Sequence, residues 1–185
     1  IPGTVGGAVA GNAGAFGKQV GDAVVEALLM DRAGQTRWVP AAQLGFAYRQ
    51  SNLPASEDIL VSVRLRLSAG DPLALAQERA DVMALRRSKH PDWRATPTAG
   101  SFFKNIEPTS AAGRRQAAGW FLEQAGAKEM RVGGARTFDK HANIIITEGP
   151  CRAADVMELS RRMAEAVKNR FGLQLEPEVR RLGAF

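Results

Sequence analysis

The spacing of apolar residues changes period along this chain, and that change constrains the fold more than any other feature. Between residues 58 and 68, Ile59, Val61, Val63, Leu65 and Leu67 alternate with Leu60, Ser62, Arg64, Arg66 and Ser68. Period two predicts a half-buried strand with the first set facing the core. The period then becomes helical. Asp71-Pro72 offers an N-cap acid followed by proline at the first helical position. Leu73, Ala76, Ala80 and Met83 form an apolar stripe that runs out near Lys89, before Pro91. Farther on, Val156, Leu159, Met163, Val167 and Phe171 fall on one face of a helix over residues 153–171, with Gly172 past its end. Both periods occur without regular βαβ alternation, so the expected class is α+β.

Weaker signals fill in the rest. Residues 22–39 read as a strand pair, because Asp31-Arg32-Ala33-Gly34 separates two apolar runs. A helix is expected over residues 111–124, stopped by Gly126, with a short strand at 144–147 and a last strand at 173–180. Pro91, Pro97 and Gly100 mark residues 91–100 as a loop and a domain boundary, dividing the chain into 1–90 and 91–185. Residues 1–17, IPGTVGGAVAGNAGAFG, hold six glycines among small residues. Helix propensity is poor there. Asn12 and Phe16 at spaced positions, and the lack of a Ser-rich repeat, favour a loop packed on a planar or phosphorylated ligand over a flexible end.

Composition narrows the function classes. A chain of 185 residues, 45% hydrophobic, can bury a core. No apolar run reaches membrane-spanning length and no signal peptide is evident. The single cysteine, Cys151, precludes an internal disulfide framework, and a reducing, cytoplasmic setting is expected. The net charge of +6 comes from scattered pairs such as Arg86-Arg87 and Arg161-Arg162. Pairs of that kind are usually solvated faces, so nucleic acid is not expected as a partner. There is no GxGxxG after a strand and no GxxxxGK[ST]. His90 and His141 lie far apart along the chain without CxxC or HExxH, which argues against a metal site.

Three polar clusters remain. Tyr48-Arg49-Gln50-Ser51 offers a guanidinium suited to gripping a carboxylate. Gly100-Ser101-Phe102-Phe103-Lys104-Asn105 presents a serine on a constrained turn, with donors for an anion or sugar beside it. Leu175-Glu176-Pro177-Glu178-Val179-Arg180 holds two candidate acids. Each cluster alone also fits an ordinary structural role.

In this order, the segments resemble the flavin-dependent UDP-N-acetylenolpyruvoylglucosamine reductases. Residues 1–17 are similar to that family's flavin-contacting loop, Tyr48-Arg49-x-Ser51 to its YRxS element, and GSFFKN to its GSxFKNP element. Residues 119–126, GWFLEQAG, are similar to its GWLIEQAG helix, and Lys140-His141-Ala142-Asn143 to its KHAN strand; Leu175-x-x-Glu178-Val179 matches its ending.

The resemblance implies the rest of a flavin-binding α+β domain followed by a smaller α+β substrate domain. It implies FAD, with NADPH as electron donor, and reduction of UDP-N-acetylglucosamine enolpyruvate to UDP-N-acetylmuramate for peptidoglycan. Cell-wall biogenesis, cell shape and cell division would depend on that product. Arg49, Ser101 and Glu178 would be catalytic. Gly3, Thr4, Gly6, Gly7, Asn12, Gly14 and Ala15 would contact the cofactor; Tyr48, Lys89, Lys104, Asn105 and Gln124 would bind substrate. Glu176 is the competing acid, and Glu178 is preferred because it directly precedes Val179.

Two departures from the family pattern are evident. Ile106-Glu107 separates Asn105 from Pro108, and the family's Gly-rich segment for the FAD pyrophosphate precedes the matched region. These residues alone are therefore expected to bind FAD weakly or not at all. The alternatives are a nucleotide-sugar binding module without redox chemistry and another flavoprotein of the same fold.

Overall fold

The computed structural model describes residues 3–107 and 115–183. Two compact units, Ile1–Asp71 and Pro72–Phe185, each enclose an apolar cluster, in line with the α+β class.

The first unit opens with a short helix, α1 (Val5–Ala10), where the glycine content predicts none. Tertiary packing overrides propensity here. Thr4 caps the turn, its hydroxyl accepting the Gly7 N–H at 3.1 Å, and Val9 is fully buried. A small hairpin follows, β1 (Gly14–Ala15) with β2 (Lys18–Gln19).

The main sheet of this unit has the antiparallel order β4-β3-β5, from β3 (Val24–Met30), β4 (Thr36–Pro40) and β5 (Ile59–Leu65). The expected hairpin is present: Asp31 Oδ1 closes its turn by accepting the N–H groups of Ala33 and Gln35, both at 2.9 Å. The strand at β5 also forms, but its expected face does not hold. Leu28 pairs with Ser62 and Leu29 with Leu60, which leaves Val61 as an extra residue. The bulge breaks the alternation. Leu60 and Val63 pack on the cluster of Val9, Val24, Ala27, Leu29, Leu44 and Leu53, whereas Ile59, Val61 and Leu67 are exposed.

In the second unit, α2 (Pro72–Lys89) begins at the expected proline but buries no residue; Leu73, at the head of the predicted stripe, is 81% exposed. The four-stranded antiparallel sheet has the order β6-β9-β8-β7, from β6 (Thr98–Ser101), β7 (Arg131–Val132), β8 (Ala135–Phe138) and β9 (His141–Thr147). The strand expected at 144–147 thus starts three residues earlier, at His141. Helices α3 (Ala118–Gln124) and α4 (Ala153–Phe171) complete the unit.

Helix α4 has the predicted bounds, and Leu159, Met163 and Val167 are fully enclosed. At about 1.5–3 kcal/mol for each large apolar side chain buried, this stripe is a major contribution to the unit. Helix α3 starts later than expected because Gln116 is engaged in a two-way backbone pair with Ile106; the first part of the expected helix, residues 111–114, and Pro108 lie outside the described residues. Residues 173–180 form no strand but a single bridge, Phe103 with Pro177. Proline has no N–H to extend a ladder.

The compact second unit starts at Pro72, whereas the sequence division falls at residue 91. The two differ only in where they assign α2 and the residue after it.

Candidate functional site

In the first unit, buried side chains tie the glycine-rich segment to the YRxS element. Asn12 is fully enclosed; its Oδ1 accepts the Gly21 N–H at 2.9 Å and its Nδ2 donates to the Ala47 carbonyl at 2.8 Å. Ser51 Oγ donates to the Ala10 carbonyl at 2.7 Å and accepts the Leu53 N–H at 3.3 Å. Ala47 and Gln50 exchange backbone hydrogen bonds, which puts Tyr48 and Arg49 at the tip of a tight turn. Arg49 takes φ +56° there, and its guanidinium lies 5.1 Å from the Tyr48 ring centroid. A left-handed conformation costs a non-glycine residue on the order of 1–2 kcal/mol, so the surrounding hydrogen bonds hold this arginine in place.

The residues expected to contact a cofactor separate into two kinds. Asn12 has its side-chain amide engaged internally. Gly14 is required by the hairpin, because a Cβ there would lie 2.6 Å from the Lys18 carbonyl oxygen. Gly3, Thr4 and Gly7 are exposed, as is Ala15; a Cβ on Gly3 would meet nothing, and one on Gly6 nothing nearer than 3.9 Å. This bare backbone surface is open to a flat ring or a phosphate.

In the second unit, β6 is the sheet edge and ends on Ser101. Its pairing with β9 shifts register between Thr98 and Ser101. Gly100, at φ +79°, supplies the backbone conformation that this irregularity needs. Phe102 and Phe103 anchor the following residues in the core with rings 5.1 Å apart, edge to face. Beyond Ser101, the side chain of Asn143 takes over the role of a strand: its Oδ1 accepts the Phe103 N–H at 2.9 Å and its Nδ2 donates to the Phe103 carbonyl at 2.8 Å. The motif KHAN was visible in sequence, but this role spans 40 residues and leaves no local signal.

The C-terminal segment docks on the same edge. The Glu178 N–H donates to the Phe102 carbonyl at 2.8 Å, and the Lys104 N–H to the Glu176 carbonyl at 2.9 Å. Ser101 and Glu178 are therefore neighbours along adjacent backbones. The two candidate acids differ in surroundings: Glu176 is exposed and ion-paired with Lys104, whereas Glu178 is half-buried. Asn105 Oδ1 accepts the Ala118 N–H at 3.3 Å, at the start of α3. Ile106, a departure from the family pattern, packs on the core cluster and pairs with Gln116.

Lys89 is exposed at the end of α2 and Gln124 is exposed at the end of α3. Next to Lys89, His90 meets His141 with ring centroids 5.4 Å apart, a proximity that spacing in sequence conceals. Burial, with nearby cations, holds both imidazoles below the usual histidine range. Burial also pushes the Cys151 thiol up, with Asp155 adding to the effect, so this cysteine favours the neutral form over the reactive thiolate. No helix of the described residues is long and apolar enough to cross a membrane.

The chain is similar to known proteins along nearly its whole length. Residues 91–182 match the model for the UDP-N-acetylenolpyruvoylglucosamine reductase C-terminal domain. The UDP-N-acetylenolpyruvoylglucosamine reductase of a Synechococcus species is 41% identical over 187 residues, which cover all of this chain and 58% of that protein. The reductase of Cereibacter sphaeroides is 38% identical over 188 residues, 99% of this chain and 60% of that protein. The crystal structure of the reductase (MurB) from Thermus caldophilus superposes with a TM-score of 0.76 at 34% identity, covering 94% of this chain and 58% of that one. The chain thus spans somewhat under two thirds of the length of these relatives, and its residues 91–182 carry the C-terminal domain of the UDP-N-acetylenolpyruvoylglucosamine reductase family.

Proposed function

We propose that this chain carries the substrate-handling part, and a share of the flavin contacts, of a cytoplasmic reductase. The enzyme would convert UDP-N-acetylglucosamine enolpyruvate to UDP-N-acetylmuramate, a step in peptidoglycan synthesis. When bound, the FAD supplies the two electrons, drawn from NADPH and passed to C3 of the enolpyruvyl group. The open backbone at Gly3, Thr4, Gly6 and Gly7 fits a flat or phosphorylated cofactor, with Ala15 exposed nearby in sequence.

This chain's own residues would manage charge and protons. Reduction at C3 builds an enolate conjugated to the substrate carboxylate, which needs a nearby cation and hydrogen bonds in a site that excludes water. Arg49 grips the carboxylate; the strained turn that presents it is the kind of backbone found where function fixes a side chain. Ser101 delivers a proton from Oγ to C2. Glu178, in its protonated form, assists Arg49 with the developing negative charge. Tyr48, Lys104, Asn105 and Gln124 contact the nucleotide sugar, and Lys89 meets its diphosphate.

The observation that carries this proposal is the pairing of the Glu178 segment with the Ser101 edge, which leaves Glu176 to Lys104. The test uses stopped-flow kinetics on a flavin-loaded protein containing this chain. Ser101→Ala should slow flavin reoxidation by the enolpyruvyl substrate by about a thousandfold or more and leave flavin reduction by NADPH intact. Equal loss in both half-reactions would remove the proton-donor role. A protein that binds the nucleotide sugar but never reoxidises flavin would be the binding module of the alternative.

A further inference from the structure

The C-terminal end of α2 meets the start of β9 in a cluster of positive groups that the proposed chemistry leaves largely unused. His90 follows the last residue of the helix, and His141 opens the strand; their rings are 5.4 Å apart and tilted by 39°. The His141 ring is seated against α3, where a Cβ on Gly119 would lie 3.3 Å from its Cε1. Its Nδ1 accepts the Asn143 N–H at 3.3 Å. The charged groups acting on the pair are Arg86 and Lys89 from α2, Glu123 from α3, and Lys128 from the turn that follows. Glu123, the one acid among them, is already paired with Lys128 at 2.6 Å. Arg86 and Lys89 have no ion-pair partner among the described residues.

We propose that His90 and His141, with Arg86 and Lys89, form a proton-linked subsite for the diphosphate of a nucleotide sugar, in which His90 takes up a proton as the anion binds. The inference rests on the reading that places the diphosphate at Lys89, and it adds a regulation to that site. Three observations support it. A diphosphate diester brings two negative charges to a place where positive groups outnumber the single, already paired acid. Burial, and after it the neighbouring cations, lower the His90 pKa and so favour its neutral form without the anion, and an anion offsets the cationic part. His141 Nδ1 is engaged as an acceptor, so the proton goes to His90, and the neutral His141 ring beside it remains a compatible neighbour for an imidazolium.

The direction follows from linkage. A site that takes up a proton binds more tightly as pH falls, and the gain spans the window between the pKa of His90 in the free protein and its higher value in the complex. A nucleotide diphosphate sugar does not itself titrate between about pH 5 and 8, so the dependence reports on the protein.

The test is calorimetric titration of the 185-residue chain with UDP-N-acetylglucosamine at pH 8 and pH 6. Two buffers of different ionisation enthalpy count the protons, and imidazole resonances are followed by NMR. Affinity should rise up to about tenfold toward pH 6, the effect of a shift of about one pKa unit. The His90 signal should move toward its protonated position on binding. His90→Gln, with an unchanged melting temperature as the folding control, should lack the gain at pH 6. Equal affinity at both pH values with no proton taken up overturns the linkage and leaves the diphosphate reading standing. Absence of binding at both pH values, or a Lys89→Ala chain that binds as tightly as the parent, overturns the diphosphate reading and this proposal with it.

Discussion

Arg49 is the residue whose backbone says most about its side chain. Its φ of +56° is unfavourable for any L-amino acid with a Cβ, and glycine or asparagine would relieve the turn at once. The surrounding hydrogen bonds from Asn12 and Ser51 fix the turn, and in the proposed function that cost would present a planar, two-pronged cation to the substrate carboxylate. Arg49→Lys keeps the charge and loses the fork. In the proposed reductase this substitution should lower the rate of flavin reoxidation by the enolpyruvyl substrate at least about a hundredfold, while the melting temperature stays within a few degrees. Stopped-flow rates that match the parent would show that charge alone suffices, and the bidentate role would be lost. Among the acids, Glu178 and Glu176 could be separated in sequence only by family likeness; their different burial and the Lys104 pair now supply a physical distinction.

At the scale of elements, local chemistry was legible and long-range chemistry was not. The hairpin at β3–β4 and the bounds of α4 follow from turn residues and apolar period, which act within a few positions of themselves. The buried face of β5 does not, because a bulge at Val61 depends on pairing with a distant strand. The stripe of α2 likewise has the right period, yet no residue of the helix is buried. At the candidate site, Ser101 and Glu178 could be chosen from motifs, yet their segments come together through backbone pairing between Phe102 and Glu178, which no local signal announces. Asn143 is the clearest omission. Its amide replaces two backbone bonds at the point where the sheet edge turns away after Ser101. Asn143→Ala would leave the buried N–H and C=O of Phe103 unsatisfied, at about 1–3 kcal/mol each. Urea unfolding should therefore register a loss of about 3 kcal/mol, and a loss below about 0.5 kcal/mol would show that the edge is held by other contacts.

At the scale of the whole chain, the 185 residues carry a net charge of +6 with a pI near 10.1, and this balance bears on how the proposed ligand arrives. Many of the arginines have partners: Arg161 and Arg162 share Glu158, Arg37 meets Asp58, and Arg136 meets Glu148. Such pairs cancel charge locally, so the excess resides on groups such as Arg86 and Lys89. The substrate in the proposed function bears three negative charges near neutral pH, two on the diphosphate and one on the carboxylate. A basic protein attracts such a ligand over distances of about a Debye length, on the order of 10 Å at 0.1 M salt and about 3 Å at 1 M. Raising sodium chloride from about 50 mM to about 500 mM should then raise KM for the enolpyruvyl nucleotide by about three- to tenfold in a flavin-loaded protein containing this chain. The rate of flavin reoxidation at saturating substrate should change little, because in the proposed mechanism Arg49 and Glu178 would act on substrate already bound, at distances too short for salt to screen. A KM indifferent to salt would mean that shape and hydrogen bonding alone select the nucleotide, and a saturated rate that falls in parallel with KM would mean that the charged groups at the reacting carbons are open to solvent.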